Sequence, residues 1–91
     1  MPVYLIAYEF PKNVSEADRL ELHRTLESLG PHCRPLDSVW FVETNVDRPW
    51  LDATIRRYTF ACLVVEVEDI DNVTGAVHKD CADWLNEHLD E

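Results

Sequence analysis

Three stretches of this chain are apolar on both faces of an extended backbone, and that narrows the folds open to it. Val3–Phe10 alternates Val3, Leu5, Ala7 and Glu9 with Tyr4, Ile6, Tyr8 and Phe10; Val39–Thr44 reads VWFVET, and Phe60–Val67 reads FACLVVEV. A strand with water on one side alternates apolar and polar residues, whereas a strand apolar on both sides is covered twice. The chain therefore needs a sheet with a layer on each face. It must build this from 91 residues, enough for a single domain, 1–91, with one modest core.

The segments between the strands read as helices. Ser15 is a good N-cap, Asp18 follows three residues on beside the positive end of the helix dipole, and Leu22, Leu26 and Leu29 recur at helical spacing. This predicts a helix over roughly 15–29, stopped by Gly30 and Pro31, with Leu20 on its outer side. His32–Leu36 reads as a short edge strand interrupted by Pro35, and Asp37–Ser38 as a turn. Asp47 caps a second helix with Pro49 in its first turn and Leu51, Ile55 and Tyr58 as its buried stripe. A last helix is expected from about Val77 to Leu89, with Val77, Cys81, Trp84, Leu85 and Leu89 inward.

The resulting order, β-α-β-β-α-β plus a terminal helix, predicts an α+β, ferredoxin-like antiparallel sheet with two helices on one face. The other face is left to the terminal helix, a second subunit or both, and the expectation is that both contribute in a homodimer.

Charge limits the partners. Eight basic against eighteen acidic residues give a net charge of −10, and Glu66–Glu91 holds nine acids with Lys79 as its only Lys or Arg. Such a field repels phosphate and suits a basic protein or a divalent cation. Cys33, Cys62 and Cys81 show no C-x-x-C spacing and read as free thiols in a reducing cytoplasm. The apolar run VYLIAY is far shorter than a membrane span and has no basic leader.

Particular stretches resemble a known group. YLIAYEF, LESLG, LDSVWFVET, CLVVEVED and WLNEHL are similar to the SinR-like small proteins. That group is related in turn to the small CRISPR-associated nuclease and adaptation subunit and to VapD-type toxin ribonucleases. In the CRISPR-associated relatives the first strand ends in Tyr-Asp before an apolar residue, and two symmetry-related Asp side chains flank a divalent metal between subunits. The matching residues here are Tyr8-Glu9-Phe10, with Glu in place of Asp; the relatives' Ser-Val-Phe run matches Ser38-Val39-Trp40. The resemblance thus implies a nuclease acting on RNA or DNA with Mg²⁺ or Mn²⁺, or a relative that has lost the activity. Glu9 would be the catalytic metal ligand, and Ser38 a hydroxyl behind it.

A different function follows from charge alone. Glu66, Glu68, Asp69 and Asp71 form an acidic cluster at the end of the last strand, and Trp50 stands off the apolar stripe of the second helix. These suit a non-catalytic module that binds a basic protein: a defence or toxin–antitoxin regulator, or a mimic of nucleic-acid charge. The same acids would equally serve as a charged edge against aggregation, or hold a hard cation. His78 and Cys81 have half-site zinc spacing, with His32–Cys33 as neighbours, but no recognisable second half follows; a packed thiol explains Cys81 more simply.

Overall fold

The computed structural model describes residues 1–59, 61–70 and 73–89. The elements are β1 (Val3–Glu9), α1 (Glu16–Glu27), β2 (His32–Leu36), β3 (Val39–Glu43), α2 (Arg48–Ile55), β4 (Ala61–Val67) and α3 (Lys79–Leu89). The four strands form one antiparallel sheet in the order β2-β3-β1-β4. Leu5 stands between Phe41 and Val65, and Ile6 between Trp40 and Val64. The fold is α+β, a four-stranded antiparallel sheet with three helices, and among the described residues no helix is long and apolar enough to cross a membrane.

Alternation sends the even residues of β1 to one layer and the odd ones to the other. Tyr4, Ile6 and Tyr8 join Trp40 and Val42 against Leu22 and Leu26 of α1 and Leu51 and Ile55 of α2. Val3 and Phe41 meet Leu85 and Leu89 of α3 on the opposite face. Both helix caps form as the sequence indicates: Asp18 N–H donates to Ser15 Oγ at 3.1 Å, and Trp50 N–H to Asp47 Oδ1 at 2.9 Å. All seven of the largest fully buried side chains lie in the first layer. Each such residue contributes about 2 kcal/mol. The first layer therefore dominates stability, and the second is thin.

Three expectations are corrected by the second layer. Phe60–Val67 is not a doubly covered strand. Phe60 lies outside the described residues, and β4 is the sheet's edge, where Leu63 is 66% and Val65 48% exposed. Apolar alternation reports what a strand tolerates, not which neighbours it acquires. Second, the terminal helix begins at Lys79, so Val77 precedes it and is exposed instead of packing in its stripe. Third, Cys33 and Cys81 are not free thiols. They form a disulfide that ties β2 to α3 with Cα atoms 5.6 Å apart, which leaves Cys62 as the free cysteine. Cys81 lies on the apolar stripe as expected, and β3 bears Phe41 opposite Cys33, so covering the second face with α3 is what brings the two sulfurs together.

Candidate functional site

The second face of the sheet is only half covered. α3 lies over Val3 and Phe41, and the irregular segment 73–77 borders the same face, with Val73 packed against that core. Two open hollows of about 400 and 410 Å³ flank that segment and share Leu5, Phe41, Val73 and Thr74. Together they make a groove with an apolar floor. One hollow reaches Val39 and Leu36, the other Val65, Val67 and the end of β4 at Glu66 and Glu68; Glu66 pairs with Tyr4, so its side chain turns to the α1–α2 face. The β strands supply the floor because their odd-numbered side chains are apolar. The wall exists because the chain must cross the sheet from β4 to reach α3.

The sequence-derived residues divide between the two ends of this sheet. Glu9 ends β1 with its side chain exposed, on the same face as Leu63 and Val65. Its carbonyl accepts a hydrogen bond from the Thr59 hydroxyl, which in turn accepts from Ala61 N–H. Ser38 lies in the β2–β3 turn, and its carbonyl accepts from Tyr8 N–H at 3.1 Å. Glu9 and Ser38 are thus brought to one end. Glu66 pairs with Tyr4, so it and Glu68 lie toward the other end, about 17 Å along the strands from Glu9. Trp50 is 47% exposed in the first turn of α2, and Asp69 is exposed just past β4. Asp71 lies outside the described residues.

Among the described residues no group of three or more His, Cys, Asp or Glu side chains comes together to hold a metal ion. The His78–Cys81 spacing offers no thiolate ligand in this state, because Cys81 is bonded to Cys33. At the far end, His88 Nδ1 lies 3.0 Å from Glu43 Oε2 and its ring stacks on Trp84 at 4.2 Å. This contact fastens the C-terminal turn of α3 to the end of β3.

An imidazole in the first layer gave no sequence signal, because His23 carries no recognisable motif around it. Its ring lies 5.7 Å from Trp40, 6.0 Å from Phe10 and 6.4 Å from Tyr8. Trp40 Nε1–H donates to the Tyr8 hydroxyl at 2.9 Å, while Arg19 lies over Phe10 and Arg34 over Trp40. His23 Nε2 is buried without a hydrogen-bond partner. Burial first, then Arg34 and Arg19, push the imidazole below its usual 6.5, with Glu27 opposing. A lowered folded-state value means that the unfolded chain binds the proton more readily. The stabilisation is therefore complete above about pH 6.5 and is lost as pH falls through the folded value. Thermal melts from pH 7.5 to 5 should show the wild type losing more stability than His23→Phe; parallel losses would refute this role. Burial likewise pushes the Tyr8 phenol up.

No family model, no curated protein and no solved structure matches this chain.

Proposed function

We propose that this chain is a ferredoxin-like, non-catalytic binding module that holds a basic, apolar-faced protein segment in the groove on the second face of its sheet. The strand order β2-β3-β1-β4, with α1 and α2 on one layer, supports the fold name. The observation that carries the function is an apolar floor of Leu5, Phe41 and Val73 bounded by an acidic edge strand, where Glu66 and Glu68 border the groove and the Glu66 side chain turns to the Tyr4 face, in a chain of net charge −10. Apolar contacts would supply affinity, and the acidic charge along the adjoining sheet edge would favour Lys- or Arg-bearing partners and speed their encounter.

The test uses a synthetic peptide of alternating Lys and Leu, beside a peptide of the same charge with Ser for Leu. The Lys–Leu peptide should bind, with affinity falling as salt is raised, and Glu66→Lys with Glu68→Lys should weaken it about tenfold or more. Equal binding of both peptides would show charge attraction without a groove. No binding at low salt would reject the proposal.

The resemblance to SinR-like and CRISPR-associated proteins supports a second reading, favoured by the position of Glu9 on the open face. If two copies stacked through those faces, two Glu9 carboxylates would approach each other around a Mg²⁺ or Mn²⁺. Among the described residues one copy alone does not supply such a site. Metal-dependent cleavage of RNA or DNA by the purified chain, lost in Glu9→Gln, would establish this reading in place of the first.

A further inference from the structure

The outer edge of β4 differs from the edge at the opposite side of the sheet. β2 carries Pro35 and a register shift between Cys33 and Leu36, devices that discourage further strand pairing. β4 runs seven residues with neither, and Ala61, Leu63 and Val65 are exposed along it. The hydrogen-bond phase is fixed by its neighbours. Tyr8 N–H faces β3, whereas the Glu9 carbonyl and Ala61 N–H meet at the Thr59 hydroxyl between β1 and β4. Alternation then turns the N–H and C=O groups of Cys62, Val64 and Glu66 outward, with no strand beyond them among the described residues.

We infer that this edge pairs antiparallel with β4 of a second copy, with Val64 on the two-fold axis, to give one continuous sheet across the dimer. This goes beyond the groove proposal and does not depend on it. In that register Leu63 faces the partner's Val65 and Ala61 faces the partner's Val67. These are non-hydrogen-bonded pairs, in which side chains approach most closely. Cys62 faces the partner's Glu66. Shifting the axis to Glu66 would set like charges directly opposite; the Val64 register keeps the two Glu66 side chains apart.

Charge favours the same register. Cys62 Sγ lies 3.4 Å from Asp52 Oδ1, and Arg56 Nε lies 3.0 Å from that same oxygen. The partner's Glu66 arrives beside Cys62 on the same face of the sheet. The Arg56 guanidinium, with its several donors, then stands between Asp52 and the partner's Glu66, and the symmetry repeats the contact. This geometry also places the two Glu9 residues about 25 Å apart, on opposite sides of the axis, too far to share a metal.

Sedimentation and amide exchange over a range of protein concentrations test the inference. The wild type should dimerise, and Cys62, Val64 and Glu66 amides should slow as concentration rises, while Leu63 and Val65 amides, bonded to β1, stay protected throughout. Leu63→Lys, at an exposed position, should leave a folded monomer. Arg56→Glu should weaken the dimer about tenfold, and adding Glu66→Arg should restore it. A monomer at every concentration up to millimolar would overturn the inference. So would a dimer in which those three amides exchange as they do in dilute protein. A sheet-edge dimer that fails to bind the Lys–Leu peptide would reject the groove alone.

Discussion

Gly30→Ala should lower stability by about 3 kcal/mol and the melting temperature by about 15 °C. Gly30 follows α1 with φ +150°, a conformation that L side chains rarely adopt. An added Cβ would overlap the carbonyl oxygen of Glu43, so strain and collision act together. Relief by movement is blocked. Glu43 N–H donates to the Pro31 carbonyl at 2.8 Å, and Thr44 N–H to the Pro2 carbonyl at 3.0 Å, which fixes the end of β3. Gly75 is the internal control, because an added Cβ there meets nothing within 4 Å. Gly75→Ala should fall within about 0.5 kcal/mol of wild type in chemical denaturation. Equal losses at the two glycines would contradict the geometry.

Replacing both Cys33 and Cys81 by Ser should cost about 3 kcal/mol, of the order expected for closing a long loop in the unfolded chain. The pair spans 48 residues and joins the edge strand β2 to the terminal helix. The consequence should be local as well as global. α3 is held by Leu85 and Leu89, by Trp84 and by the His88–Glu43 contact, a thin layer beside the one that α1 and α2 form. Amide exchange in the double variant should therefore speed first in α3, with β1 and β3 slower to follow. Treating the wild type with excess dithiol, which reduces the disulfide to two thiols as the dithiol is oxidised, should reproduce the effect. Identical denaturation curves with and without reductant would show that the bond does not stabilise the fold.

Much of the architecture was readable because it depends on local chemistry. Ser15 and Asp47 announce their helices through oxygen atoms that cap them, and Leu22, Leu26, Leu51 and Ile55 reveal a shared inward face through spacing alone. The tertiary features were not readable in this way. Nothing in FACLVVEV distinguishes an edge strand from a central one, because both accept Leu and Val. Cys33 and Cys81 become partners only when α3 crosses the second face, a matter of topology that spacing along the chain does not encode. His23 gives no sign of its role in the sequence, because an isolated histidine beside Leu22 carries no pattern; its character comes from Trp40, Phe10 and the two arginines around it.

The candidate site followed the same division. Glu66 and Glu68 stood out as acids, but the groove beside them is made by residues from β1, β3 and the 73–77 segment, which meet only in the folded chain. Glu9 and Ser38, chosen from a resemblance, do reach the same end of the sheet. The edge pairing through β4 and a stacking of open faces place Glu9 in incompatible positions.

The groove itself is best tested by amide chemical-shift mapping while the Lys–Leu peptide is added to the intact, oxidised protein. Shifts should concentrate at Leu5, Phe41, Val65, Val73 and Thr74, with Glu66 and Glu68 responding and the Glu9–Ser38 end quiet. Shifts gathered at Glu9, or scattered over the acidic surface without involving Leu5 and Phe41, would contradict it.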